Sequence, residues 1–420
     1  MPAPLTAAML GAGDRGFFAY GPFAKHHPQQ LKFVAVAEPN PIRRRRFARA
    51  HDIPPDRQFT SWEELLLKDQ LADVLLNMTP ISMHVPSTVC ALEIGYPVLL
   101  EQPMASTLAD MQKLEQVSRA TGQLLQICNP LRHTAFFNTL HDVLESGQIG
   151  DVITVEHRDN ISYWHMAHSF VRGERANSKE FAPIIVSRCA NDLDLLRWNM
   201  GGSPQHLNST GALIHFKAEN APSDSTLRCT ADCAVENCLY DARRIYLNLS
   251  NSGWPISDIT EDMSVLGRQN AIETGRYGQC VYHCSNDVVD QQIVNMQFKQ
   301  GTSVVLVMHG HANRDERTMR YDGTKATLRG RFGPRGGNLE IQGHWANRWE
   351  SVDIPVTPNA ANEGYFGQLQ NFLLAVNGEV TPSTTISEMI ESHYLAFAAE
   401  AARHQQTGID IATFKQTQQI

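Results

Sequence analysis

No stretch of the 420 residues approaches the eighteen or so consecutive apolar residues that a membrane-spanning helix needs. Excess positive charge is missing too. The 36 Lys and Arg against 44 Asp and Glu leave a formal net charge of −8, the wrong sign for a general nucleic-acid binder. Neither a basic opening segment nor a small-residue cleavage site precedes the first apolar run, so no signal peptide is expected. The expected location is the cytoplasm, where the eight cysteines would be reduced or metal-bound rather than paired. Internal repeats and low-complexity tracts are absent. What remains is an ordinary globular composition, 42% apolar and 19% charged, in a chain too long for one core. Two domains are the natural expectation.

Against these absences stands one dense signal. Residues 5–10 form a short apolar run that ends in Gly11-Ala12-Gly13-Asp14-Arg15-Gly16, and a helix can start at once. A dinucleotide pyrophosphate needs this arrangement. Gly11 permits the tight turn, Gly13 lets backbone N–H groups approach the phosphates, and Gly16 lets the helix pack on the strand. The anion then rests on the helix N-terminus, where unpaired N–H groups and the dipole favour it. Residues 31–37 read as a second apolar strand ending in Glu38, about where a ribose 2′-OH needs a carboxylate acceptor. Glu38 would repel a 2′-phosphate, so the cofactor expected is NAD. The run Arg43 to Arg46 keeps NADP as the alternative, although a solvated helix face is the preferred reading of those arginines.

The first third of the chain then alternates strands and helices. A helix opens at Pro41, Ser61 caps another with Glu64 three residues on, and strands are predicted over 72–78, 96–100 and 124–128. Thr79-Pro80 and Glu101-Gln102-Pro103 fall at strand ends, where open parallel sheets bind ligands. His84 follows as a helix-start residue near the cofactor, and Phe17-Phe18 is expected in the core. From about residue 150 the rhythm changes. Residues 152–158 alternate as a strand, 163–173 read as a long loop, and a helix is expected to begin at Asp192. Residues 201–288 look irregular. Further strands are predicted at 292–298, 303–309, 320–330 and 339–343, and helices at 368–376 and 387–403. The fold class is therefore α/β, with an N-terminal Rossmann domain built on a doubly wound parallel sheet. A C-terminal α+β domain with an open, mostly antiparallel sheet follows. The expected ranges are 1–130, 131–385 with a cysteine-bearing insertion at about 220–285, and a helical 386–420 packing back on the first domain.

In this order the fingerprint, the acid, Thr79-Pro80, Glu101-x-Pro103 and Cys189-x-x-Asp192-x-Asp194-Leu195-Leu196-Arg197-Trp198 resemble the glucose–fructose oxidoreductase/inositol dehydrogenase (Gfo/Idh/MocA) family across essentially the whole chain. A subgroup fits better still, through the loop Trp164-His165-x-x-His168-Ser169-Phe170-Val171-Arg172-Gly173. Its second mark is the run from Tyr277 to Asp290 that follows a cysteine-bearing insertion. The resemblance implies NAD(P) on the first domain, its nicotinamide at an interdomain cleft. It also implies a second-domain sheet that usually forms a homo-oligomer interface, in a dimer or tetramer, and hydride transfer from a hydroxyl-bearing carbon of a sugar, cyclitol or glycoside. Neither nucleic acid nor membrane is expected as a partner. The cofactor set implied is Gly11, Gly13, Asp14, Arg15, Gly16, Glu38, Thr79, Pro80, His84, Glu101 and Gln102. The substrate set is Tyr163, His165, His168, Arg172, Arg188, Asn191 and Asp192.

Three positions depart from the family pattern. Its Glu-Lys-Pro is Glu101-Gln102-Pro103 here, and Gln donates a hydrogen bond but cannot titrate. The usual proton-shuttling histidine is Asn191. The His- and Gly-rich turn before the penultimate helix is Ala360-Ala361-Asn362-Glu363-Gly364-Tyr365. Acid–base help contributes roughly 10² to 10⁴ in rate. Either another residue has taken the proton, with Gln102, His165, His168 and Asp192 as the catalytic candidates, or the chain is a catalytically impaired NAD-binding homologue acting as sensor or partner. A redox-assisted glycoside hydrolase or lyase is the further alternative. Separately, Cys229, Cys233, Cys238, Cys280 and Cys284 stand in C-x₃-C-x₄-C and C-x₃-C spacing with His283 beside them. Thiolates at such spacing suit a structural zinc, or an iron–sulfur cluster, anchoring a loop-rich insertion. Buried reduced thiols are the plain alternative.

Overall fold

The computed structural model describes residues 3–357 and 362–418, and the chain divides into two compact units. The first comprises Met1–Asn138 and Val356–Tyr394. Its strands are β1 (Leu5–Leu10), β2 (Leu31–Ala37), β3 (Gln58–Phe59), β4 (Val74–Asn77), β5 (Val98–Leu100) and β6 (Leu125–Ile127). They pair only in parallel, in the order β3-β2-β1-β4-β5-β6. That order reverses between β1 and β4, the point where doubly wound sheets bind ligands. The strands are near-continuous apolar runs because helices cover both faces of such a sheet. The helix caps follow local chemistry. The side-chain carbonyl of Asn40 accepts from the N–H groups of Ile42 and Arg43 before Pro41–Ala50, and Ser61 Oγ accepts from Glu64 N. Of the pair expected in the core, Phe17 packs half-buried against it, whereas Phe18 is 46% exposed.

The second unit comprises Thr139–Pro355 and Leu395–Gln419. It holds one nine-stranded sheet built from β7 (Val152–Ser162), β8 (His206–Ala212), β9 (Gln291–Gln297), β10 (Ser303–Ala312), β11 (Glu316–Gly323), β12 (Ala326–Gly333), β13 (Gly336–Gly343), β14 (Glu350–Val352) and β15 (Ile409–Asp410). Every pairing is antiparallel except β7 with β10.

The unit boundaries differ from the expected ranges at the C-terminal side. The helix Glu363–Val376 belongs to the first unit, because Phe366, Leu369, Phe372 and Leu373 enter that unit's core. Glu363 also accepts from Ala135 N, and Gln368 from Asn129 N. The helix Ile386–Gln405 begins in the first unit, where His393 Nε2 accepts from Met104 N, and ends in the second. Other elements also differ. Residues 163–172 are helical rather than a loop. The helix expected at Asp192 starts two turns earlier, over Ile184–Asn199. β8 lies within the region read as irregular, and the single strand expected at 320–330 is the hairpin of β11 and β12. Among the described residues no helix is long and apolar enough to cross a membrane.

Candidate functional site

The glycine turn in the first unit is built as its sequence demands. Gly11 has φ +83°, and a Cβ there would stand 2.5 Å from the Met78 carbonyl oxygen. A Cβ on Gly16 would stand 2.3 Å from Gly11 O. Gly13 is different: an added Cβ would meet only the Arg43 guanidinium, at 3.7 Å, so its outer side is open. Glu38 sits beside this turn, buried, with one carboxylate oxygen accepting from Ala12 N (2.8 Å) and the other from Asn40 N (2.9 Å). A carboxylate offers about four acceptor sites. Two therefore remain for hydroxyl donors, which is the chemistry of a ribose edge. The open glycine and the half-satisfied acid fit a dinucleotide. The arginine run is only partly the solvated face expected of it. Arg44 donates to Glu38 O at 2.5 Å, Arg46 lies 4.3 Å from the Phe17 ring centroid, and Arg45 is exposed.

The neighbouring strand ends are held by buried polar groups. Asn77, at the end of β4, donates to Ser87 Oγ and Thr88 Oγ1 and accepts from Thr79 N and Oγ1. Pro80 is exposed next to it. His84 is buried with Nδ1 2.9 Å from Pro103 O and Nε2 2.8 Å from Thr79 O. Both ring nitrogens thus face carbonyls, so His84 clamps the two loops together and has no nitrogen left for a ligand. Arg15 bonds Tyr365 and lies 3.3 Å from Glu101. Asp14 precedes the first helical turn, and Gln102 is half-buried at the end of β5. Of the turn expected at 360–365, Ala360 and Ala361 lie outside the described residues.

In the second unit the polar candidates separate into three groups. The first lies where the helix Ile184–Asn199 carries Arg188 and Asp192 one turn apart, with Asn191 half-buried between them. Arg188 grips Asp159 of β7 at 2.6 and 2.9 Å. Arg317 of β11 grips Asp192 at 2.5 and 2.9 Å, and His157 Nε2 lies 2.8 Å from the same carboxylate. Both aspartates are fully buried. Burial alone would raise the Asp192 pKa. The Arg317 charge and the bonds from His157 and Arg317 outweigh that and hold it far below the usual carboxylate range. Asp192 is therefore no base at neutral pH, which corrects its place among the catalytic candidates. Asp159, Cys189 and Asp192 also form the one trio of potential metal ligands within 4.8 Å of each other among the described residues. Two guanidinium groups already neutralise that trio, which leaves a cation no role there.

The second group is a dyad. His165 Nδ1 lies 2.8 Å from Asp315, whose oxygens also accept from Ser162 N and Oγ at 3.0 Å. Burial raises the Asp315 pKa, but the His165 bond and charge and the Ser162 N–H prevail and hold it at about 2. For His165 burial dominates in the other direction, lowering the imidazole below its ordinary value despite the carboxylate. The ring is neutral at pH 7, and Asp315 fixes the proton on Nδ1, leaving Nε2 as the basic atom.

The third group surrounds the insertion. His168 is 1% exposed, with Nδ1 3.0 Å from Tyr246 OH and Nε2 3.3 Å from Asp258, and it stacks on Tyr277. Its two nitrogens are taken, so it does not serve as a base. Trp254 flanks the same site, donating to Asp258 at 3.2 Å. Arg172 donates to the carbonyls of Gln279 and Tyr240, both at 2.7 Å, and so holds the insertion rather than a substrate. Tyr163 is half-buried, its ring 6.1 Å from that of Tyr240.

Comparison with known proteins agrees with this geometry. Residues 5–128 match the family model described as "Oxidoreductase family, NAD-binding Rossmann fold", and residues 141–411 match its "C-terminal alpha/beta domain". The chain belongs to the Gfo/Idh/MocA oxidoreductase family. A relative named as an oxidoreductase, YteT of Bacillus subtilis, is 23% identical over 252 residues, 58% of this chain and 57% of that protein. The chain thus spans little more than half the length of this curated relative. Among solved structures, the aldose–aldose oxidoreductase of Caulobacter crescentus superposes with TM-score 0.71 at 16% identity, covering 97% of this chain and 99% of that one. An inositol dehydrogenase homologue from Azotobacter vinelandii, solved with NAD⁺, gives TM-score 0.70 at 14% identity, covering 98% of each.

As a Gfo/Idh/MocA oxidoreductase, the chain carries site residues that sequence reasoning passed over. His157, Asp159, Asp315 and Arg317 are all buried or nearly so. The available signal was the unbroken polar run from Glu156 to Asn160 inside β7, which interrupts the alternation of the strand. Asp315 and Arg317 carried none, since an alternating strand start is where solvated charges are ordinary.

Proposed function

We propose that the chain is an NAD-dependent oxidoreductase moving hydride between the nicotinamide and a hydroxyl-bearing carbon of a sugar, cyclitol or glycoside. The observation that carries the reading is the buried Glu38 carboxylate beside the open side of Gly13, with acceptor sites to spare for ribose hydroxyls. Backbone amides from Gly13 to Gly16, with Asp14 and Arg15 at the helix start, would hold the diphosphate, the amides of Gly11 and Ala12 being taken by Ala37 O and Glu38. Thr79, Pro80, Glu101 and Gln102 would border the ring. The dinucleotide, when bound, supplies the hydride acceptor.

The proton is the task of this chain's own residues. His165 Nε2 takes the hydroxyl proton, and the Asp315 carboxylate across the ring stabilises the imidazolium that results. Gln102, in the nucleotide-binding unit, can donate a hydrogen bond but cannot titrate. A guanidinium has five N–H groups, and Asp159 engages only one edge of Arg188, so the other edge, with Tyr163 and Asn191, orients further hydroxyls. The sugar or cyclitol class is supported by the names of the aldose–aldose oxidoreductase and inositol dehydrogenase neighbours. A homo-oligomer in the cytoplasm belongs to the same reading. It rests on the family likeness and on eight cysteines that are all free of disulfides.

The test is anaerobic incubation with NAD⁺ and a panel of sugars, cyclitols and glycosides, monitoring NADH and product. Reduction of NAD⁺ by at least one panel member is expected. Silence across a wide panel, with NAD⁺ binding shown by calorimetry, overturns the reading in favour of a nucleotide-binding homologue without turnover. Cleavage of a glycoside without net NADH points to the redox-assisted hydrolase or lyase.

A further inference from the structure

The cysteines of the insertion have no part in that chemistry, yet four of them surround one cavity. Cys229, Cys233, Cys238 and Cys280 line a void of about 20 Å³, with Asp241, Arg243 and Tyr282 in its wall. Cys229 and Cys280 come together because Arg228 and Gln279 form an isolated antiparallel bridge, closed by Cys229 N to Gly278 O and Cys280 N to Leu227 O. Cys233 and Cys238 each follow a residue in the left-handed region, Asp232 (φ 52°) and Asn237 (φ 54°).

A second observation points to a ligand. Arg172 is 2% exposed and donates from Nη2 toward Cys229 Sγ at 3.5 Å, while its Nη1 is buried with no partner. Its other partners are two carbonyls, and none is a carboxylate. A buried guanidinium with no counter-charge is costly, and an anionic metal–thiolate centre beside Cys229 Sγ would supply one. The insertion's buried apolar core is small: Ala242, Tyr246, Ile256 and Ile272 packed with Cys229 itself, flanked by partly buried residues such as Ile245 and Met263.

We propose that Cys229, Cys233, Cys238 and Cys280 bind one zinc ion as a tetrathiolate structural site, with Arg172 as its buried counter-charge. Binding replaces the four S–H protons by the metal, releases them to solvent and changes no oxidation state. No three of these sulfurs lie within 4.8 Å of one another among the described residues, so binding requires them to move closer together. A cavity of about 20 Å³ takes one water-sized body, which suits a single ion better than a four-iron cube. Cys284 is outside the set, since it is absent from the cavity wall and its sulfur faces Cys280 O at 3.3 Å. His283 is not in the wall either.

The test uses the full-length protein from zinc-supplemented culture, purified without chelator. Metal analysis is expected to find about one zinc per chain and negligible iron. Titration with an organomercurial should release that zinc only as four thiols react, and Co²⁺ exchanged into the site should show intense thiolate charge-transfer bands. Cys284→Ser should keep a full equivalent of zinc, and Cys238→Ser should lose at least nine-tenths of it. Should Cys238→Ser fail to fold, the titration and the cobalt spectrum of the unaltered protein still decide. Less than a tenth of an equivalent of zinc after reconstitution overturns the proposal. So does iron with acid-labile sulfide, or zinc that Cys284→Ser abolishes.

Discussion

Replacing Glu38 by Gln tests the nucleotide site with the smallest change of shape. Both carboxylate oxygens accept backbone N–H groups, from Ala12 at 2.8 Å and Asn40 at 2.9 Å. An amide accepts on one side only, so its NH₂ group must confront one of those N–H donors. Leaving a buried donor unsatisfied costs about 1–3 kcal/mol, and that cost falls on the fold of the first unit. The loss to the cofactor is separate. A hydrogen bond from ribose to a charged acceptor contributes about 1.5–3 kcal/mol, which weakens NAD⁺ binding roughly 10- to 150-fold. NADP⁺ should suffer less, because the substitution also removes the repulsion between a carboxylate and a 2′-phosphate. Calorimetric titration of both dinucleotides into wild type and E38Q, with thermal unfolding alongside, separates the two effects. An NAD⁺ affinity changed by less than about 3-fold would refute the assignment, as would wild-type protein that prefers NADP⁺.

Further outcomes are expected. Gly13→Ala should fold normally and bind NAD⁺ poorly, because its Cβ enters the open side of the turn. Gly16→Ala should also lose stability, because its Cβ would stand 2.3 Å from Gly11 O, and thermal unfolding distinguishes the two. Arg317→Met leaves the buried Asp192 charge without its main partner and should cost about 3–5 kcal/mol at pH 7. The wild-type Asp192 pKa is depressed by folding, so its contribution persists above the unfolded value near 4 and is lost only in stronger acid. In the variant burial is no longer outweighed, so the deficit should widen as pH rises from about 4 to 7, as denaturant unfolding across that range would show. His165→Gln should lower kcat by roughly 10²- to 10⁴-fold on any substrate the panel reveals, while Asp315→Asn should lower it less. Since burial holds the His165 pKa below its ordinary value, oxidation should persist at pH 7 and decline only as pH falls below about 6.5. Asp315→Asn removes the negative charge that opposes that shift, and should move the acid limb to still lower pH.

The fold of the first unit was legible because its determinants are local. Strand, glycine turn, helix and acid follow one another within 40 residues, and each glycine has a steric reason readable from its spacing. The caps at Asn40 and Ser61 are equally local. The insertion's candidate metal ligands were legible only as a set of five, because spacing cannot tell which sulfurs face one void; four of them line it in the fold.

The sequence alone determined the α/β class, the dinucleotide turn and the family, since these rest on periodicity and contiguous motifs. It did not determine which polar residues are spent on one another. His165 and His168 look equivalent three positions apart, yet Asp315, 150 residues away, leaves one nitrogen of the first available, while Tyr246 and Asp258 occupy both nitrogens of the second. Asp192 and Arg172 carry the charges of a substrate site, but Arg317 and the carbonyls of Gln279 and Tyr240 consume them. Those pairings are made across strands and helices far apart in the chain. Burial then decides whether a group titrates, and burial exists only after the chain has packed.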